Sequence, residues 1–158
     1  MTQRHTSADT SINTLNRVYK SYVSSMPIGT TILDYGCGKY NTNREFAENC
    51  GCTWFGYDPY AKTTEENNVA INCEPDYVIC SNVLNVIDND EVIKSIIADI
   101  KNMKVQAFFT IYEGNKSGIG KETKKNCWQR NEKVVDYIPM LREFYSTVIR
   151  DGNILICS

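Results

Sequence analysis

The chain has 158 residues, a length that favours one domain and that hides roughly 70% of its unfolded surface on folding. Apolar residues make up 42% and charged residues 23%, so composition excludes a disordered chain. A formal net charge of -2 excludes coating of nucleic acid by bulk charge, and no apolar run approaches the ~20 residues that span a bilayer.

The first eleven residues are polar and carry no apolar stretch of a signal peptide, so the chain reads as soluble and cytoplasmic. Seven cysteines in a reducing setting read as small buried hydrophobes, above all Cys80 and Cys157, which sit inside apolar runs. Cys50-Gly51-Cys52 with a lone histidine, His5, is too few ligands for the usual zinc patterns, so no metal is expected.

Residues 1–10 read as a flexible tail before a single domain over 11–158. Ile12, Leu15, Val18, Tyr19, Tyr22, Val23 and Met26 recur at helical spacing and predict one amphipathic helix, stopped by Pro27 and Gly29. Thr31-Ile-Leu-Asp-Tyr35 predicts a strand running into Gly36-Cys-Gly38. A helix follows, with Thr42 and Glu45 in capping-box spacing and Gly51 at its exit. Thr53-Trp-Phe-Gly-Tyr57 predicts a second strand, residues 69–72 a third and Tyr77-Val-Ile-Cys80 a fourth.

Asp88 and Glu91 in capping spacing open a helix whose Val92, Ile93, Ile96, Ile97 and Ile100 form one apolar stripe. Residues 105–112 predict a central strand, residues 113–131 a long polar loop, and residues 132–145 a helix interrupted at Pro139. A terminal hairpin turns at Asp151-Gly152. Alternation of strands and helices predicts an α/β fold: a Rossmann-like, open, mostly parallel seven-stranded sheet with helices on both faces and an antiparallel C-terminal hairpin.

In such sheets ligands bind beyond the carboxyl ends of the strands. Gly36 and Gly38 at a strand–helix junction permit a sharp turn and close backbone approach. Asp58, 22 residues beyond Gly36, stands where a carboxylate can accept from ribose hydroxyls. Asp34 ahead of the glycines, and no third glycine, point away from a dinucleotide toward a smaller nucleoside-containing ligand.

These residues resemble the class I S-adenosylmethionine-dependent methyltransferases. The resemblance rests on Ile-Leu-Asp34-Tyr-Gly36-Cys-Gly38, on Trp-Phe-Gly-Tyr-Asp58, on Asp76-Tyr-Val-Ile-Cys-Ser-Asn-Val83-Leu84, and on the closing hairpin. It implies S-adenosylmethionine as cofactor and methyl transfer (EC 2.1.1.-) to an acceptor of unknown class, a small molecule or an exposed group on a macromolecule. By that resemblance Gly36, Cys37 and Gly38 hold the methionine moiety, with Tyr40 over it and Asp34 near its ammonium. Asp58 and Pro59 take the ribose, Asn72 and Cys73 border the adenine, and Ser81 and Asn82 floor the sulfonium. By topology Tyr112 and Glu113 are the nearest candidates for a general base. The basic stretch 113–131 is the expected substrate-facing lid, with Lys121, Trp128 and Gln129 as acceptor contacts. The alternatives are a non-catalytic binding module of the same fold and another nucleotide-cofactor Rossmann-like enzyme. No membrane partner is expected, the net charge lends a nucleic-acid acceptor no support, and the oligomeric state is not legible.

Overall fold

The computed structural model describes residues 3–158. Its main sheet has six strands: β1 (Thr31–Tyr35), β2 (Thr53–Tyr57), β3 (Tyr77–Ser81), β4 (Gln106–Thr110), β7 (Val148–Asp151) and β8 (Ile154–Cys157). Their spatial order is β2-β1-β3-β4-β8-β7. The pairs β1–β2, β1–β3 and β3–β4 are parallel, and β8 joins β4 and β7 antiparallel. Order reverses between β1 and β3, so the ligand-binding crevice of an open sheet falls at the carboxyl ends of these two strands.

The central strands β1, β3 and β4 are mostly apolar and buried because both faces of the sheet are covered there, whereas the edge strand β7 is largely exposed. Against one face α1 (Arg17–Ser21) and α2 (Thr42–Asn49) pack Val18, Tyr19 and Ala47 onto Ile32, Trp54, Ile79 and Phe108. Against the other, α4 (Asp90–Lys101) and the short α5 (Ile138–Leu141) pack Ile93, Ile97, Ile100 and Leu141 onto Leu33, Val78, Cys80, Ala107 and Phe109. Val78 and Cys80 thus face away from Ile79, as the two-residue period of a strand requires. All seven cysteines are free, and Cys80 and Cys157 are buried as expected.

Several expectations are corrected. Residues 69–72 do not form a strand, which is why the sheet has six strands and not seven. They close α3 (Thr64–Ile71), whose start is fixed by a capping box: Thr63 Oγ1 accepts from Glu66 N, and the Glu66 carboxylate accepts from Thr63 N. The helix predicted over residues 12–26 shrinks to α1 plus a 3-10 turn, Val23–Ser25, because Asn16 caps it with its own side chain. Neither predicted capping box forms. Asn41 precedes α2 without a side-chain cap, and Asn89 caps α4 while Asp88 turns elsewhere.

Residues 113–131 are not a plain loop. They contain a two-stranded hairpin, β5 (Lys121–Lys124) with β6 (Cys127–Gln129). The helix predicted over 132–145 is a 3-10 segment, Val134–Tyr137, followed by α5, with Pro139 in its first turn, where a missing N–H costs nothing. Residues 3–10 are no loose tail. His5 and Ser7 are buried, and the segment lies across the carboxyl ends of the strands. No described helix is long and apolar enough to cross a membrane.

Candidate functional site

A cavity of about 300 Å3 opens at the carboxyl ends of β1 and β3, at the lower end of the roughly 300–1,000 Å3 typical of small-molecule sites. Its floor comprises Asp34, Gly36, Cys37 and Gly38 from β1 and its exit, Asp58 and Pro59 from beyond β2, and Ser81 and Asn82 from the end of β3. Its roof comes from residues 3–16.

The glycine turn is fixed from below. Gly36 N and Cys37 N both donate to Tyr57 O, at 2.7 and 3.1 Å. Gly36 and Gly38 have φ of +85° and +69°, a region that side chains disfavour. A Cβ on Gly36 would lie 2.3 Å from Val83 Cγ2, and one on Gly38 would lie 2.5 Å from Ser11 Oγ. The turn therefore strongly favours glycine at both places.

Asp34 is 1% exposed and sits directly beneath this turn. Tyr19 Oη donates to its Oδ2, and Trp54 Nε1 in turn donates to Tyr19 Oη at 3.0 Å. Burial pushes the Asp34 carboxyl up to about 6, opposed by the Tyr19 hydrogen bond and reinforced by the nearby Asp58 charge. The site thus holds a carboxyl that ionises reluctantly unless a positive group comes near.

Asp58 is already well engaged. Its Oδ2 accepts from Gly38 N at 2.9 Å, and its Oδ1 accepts from Tyr60 N and Ala61 N at 2.9 and 3.0 Å. A carboxylate offers about four acceptor sites, so little capacity is left for two further hydroxyls. Asn67 of α3 holds the same residue by its backbone, accepting from Asp58 N and donating to Asp58 O. Asn82 takes a left-handed conformation, φ +57°, and its N donates to Thr110 O.

Of the residues predicted to hold a cofactor, Asp34, Gly36, Cys37, Gly38, Asp58, Pro59, Ser81 and Asn82 are brought together around the cavity. Three are not. Tyr40 is exposed with Lys39 Nζ 5.4 Å from its ring centre, Asn72 ends α3 and donates to Asn68 O, and Cys73 packs against the core. The capping box that made residues 69–72 helical is what carries Asn72 away from a strand end.

The predicted base candidates do not reach the cavity either. Tyr112 is 61% exposed, and only its backbone is held, by Asn85 and Gln129. The Glu113 carboxylate accepts from Val134 N at 2.9 Å and pairs with Lys116; the Val134 N–H chiefly holds it below the ordinary carboxylate range. Both residues anchor the chain after β4. Of the predicted acceptor contacts, Lys121 is exposed, Gln129 is buried in the network with Asn85, and Trp128 stacks on His5 with ring centres 5.0 Å apart. Trp128 also lines a second, shallower cavity with Asp88, Asp90 and Arg130.

Sequence periodicity does not show the roof over the cavity, Asn67, or the packing of Val83 against Gly36. The roof and the Val83 contact join distant segments, and Asn67 meets Asp58 across nine positions through polar contacts alone. Only Val83 left a trace, as part of the motif after β3.

No protein-family model and no curated protein matches the chain. Solved structures do. A chain from the complex between the Haloferax volcanii Trm112 methyltransferase activator and a methyltransferase aligns with a TM-score of 0.53 at 12% identity, covering 83% of this chain and 68% of that one. Magnesium protoporphyrin IX methyltransferase from Synechocystis PCC 6803, solved with bound S-adenosylmethionine, aligns with a TM-score of 0.53 at 16% identity, covering 89% of this chain and 72% of that one. At such identities the likeness speaks for architecture alone. Together with the parallel sheet and its antiparallel closing strands, it shows that this chain has the class I methyltransferase fold.

Proposed function

We propose that the chain is an S-adenosylmethionine-dependent methyltransferase whose cofactor binds in the cavity beyond β1 and β3. The observation that carries this reading is the glycine turn with a buried carboxyl beneath it, at the switch point of the sheet. The residues fit such a ligand. The turn has no room for side chains, Asp34 favours a cation, and Asp58 and the amide of Asn82 supply polar groups along the wall.

When bound, the cofactor would supply an electrophilic methyl on sulfonium. The protein's part is to hold and align. The backbone of Gly36–Gly38 would receive the methionine moiety, and Asp34 would be held ionised by an ammonium. Asp58, with its one remaining acceptor site, would take a single ribose hydroxyl and keep the turn in place through Gly38 N. Ser81 and Asn82 would border the reacting centre. With Tyr112 and Glu113 away from the cavity, rate enhancement would rest on proximity and alignment.

The test is methyl transfer from radiolabelled S-adenosylmethionine to separated nucleic-acid, protein and small-molecule fractions. Label in one fraction, absent with Gly36→Val, is the expected result. Binding without transfer to any fraction would favour a non-catalytic module. Absence of binding would remove the reading.

A further inference from the structure

The roof of the cavity is a strap, and its fastening is unlike the rest of the fold. Residues 3–16 precede α1 and contain a single 3-10 turn, Ala8–Thr10. They contribute no strand to either sheet. Two regions fasten them. At the far end, Arg4 N and His5 N donate to the two Asp88 oxygens, each at 3.0 Å, and His5 Nδ1 donates to Asp88 Oδ2. The same imidazole stacks on Trp128. Ser7 reinforces this end, with its N donating to Asn126 O at 2.9 Å and its hydroxyl to Val86 O at 2.7 Å. At the near end, Asn16 N donates to Asn43 Oδ1.

Between these fastenings the strap crosses the glycine turn. Ser11 Oγ lies 2.5 Å from where a Cβ on Gly38 would stand, so the strap rests on the backbone that a ligand must approach. Ile12 is 63% exposed there, and only Leu15, half-buried against the core beside α1, gives this stretch apolar contact. The span has few bonds to the body, one being Lys124 Nζ to Asp9 O at 2.6 Å. A span fixed at two ends and weakly held in the middle opens when one end is released.

We propose that residues 3–16 are a gate over the cavity, latched by His5 between Asp88 and Trp128, and that release of this latch admits and discharges the ligand. The gate rests on the geometry alone; that its ligand is S-adenosylmethionine rests on the function proposed above. Asp88 and Trp128 also line the second cavity, so whatever occupies that cavity meets the latch directly. Loss of one charge-assisted hydrogen bond is expected to change the open fraction about tenfold.

The test is peptide-resolved amide hydrogen exchange on the full chain, wild type against His5→Ala, Asp88→Asn and the double variant. Exchange over residues 3–16 should quicken about tenfold in each single variant, by no more in the double, and stay unchanged in β1 and β3. Unchanged exchange in both single variants would overturn the gate, as would a strap that exchanges only as slowly as β1. Stopped-flow mixing with S-adenosylhomocysteine should show association and dissociation both quickened in the unlatched variants. If the strap responds to the variants but S-adenosylhomocysteine neither binds nor slows its exchange, the gate stands and the cofactor assignment falls.

Discussion

Replacing Asp34 by Asn separates what this carboxyl does for the fold from what it does for the ligand. The side chain is fully buried, and its carboxyl is pushed from the usual 3.8 up to about 6, first by burial. A raised folded-state value means the folded protein binds the proton more tightly than the unfolded chain. The contribution is therefore fully present below about pH 4 and is lost as pH rises through about 6. The difference between 3.8 and about 6 corresponds to on the order of 3 kcal/mol withdrawn from stability between those limits. Asn is isosteric, keeps an oxygen that accepts from Tyr19 Oη, and does not ionise. Asp34→Asn should match the wild type near pH 4 and melt higher near pH 8, by roughly 5–10 °C for a domain of this size. The assay is a series of thermal melts of both proteins across that range. Parallel curves, with a constant gap from pH 4 to 8, would refute the buried-carboxyl reasoning. The functional cost should run the other way. An ammonium beside Asp34 favours its ionised form, so wild-type affinity for S-adenosylmethionine should rise from about pH 5 to 7, and the Asn variant should bind weakly at every pH.

Three further outcomes follow from the same geometry. Asp58→Ala should lose on the order of 2 kcal/mol of stability as well as cofactor affinity, because it strands Gly38 N, Tyr60 N and Ala61 N; chemical denaturation beside calorimetry checks this, and a variant of wild-type stability would contradict the anchoring role. Glu113→Gln should leave methyl transfer nearly unchanged and lower the melting temperature by a few degrees at most, since its carboxylate holds Val134 N and not the cavity; a hundredfold fall in turnover at normal stability would restore it as a base. Lys121→Ala should leave cofactor affinity and melting temperature unchanged, because the side chain projects from an exposed strand; a change in turnover on one acceptor fraction alone would assign that side chain to the acceptor.

What could be read from the sequence was what burial writes into it. β1, β3, β4 and β8 are short, mostly apolar runs covered on both faces, and the stripe of Ile93, Ile97 and Ile100 announces a helix on a sheet. Gly36, Gly38 and Asp58 were legible because a tight turn and a strand end restrict residue type. The elements that were missed are held by polar contacts. α3 starts at a capping box between Thr63 and Glu66, too polar to stand out beside the apolar 69–71 that mimics a strand. Every residue of β5 is exposed, so it shows no alternation, and its hairpin is tied down by Thr6 and Ser7, about 120 positions away. The bond between His5 and Asp88 spans 83 residues and joins two side chains that each look like ordinary surface polarity in isolation. Periodicity has no access to such pairs.

The central claim is that the cavity beyond β1 and β3 binds S-adenosylmethionine on the glycine turn. Calorimetric titration of S-adenosylhomocysteine into wild type and Gly36→Val, each checked for folding by circular dichroism, tests it most directly. The account predicts saturable one-to-one binding to the wild type and none to the folded variant, whose side chain would collide with Val83. Equal affinity in the two proteins, or no heat of binding in either, would contradict it.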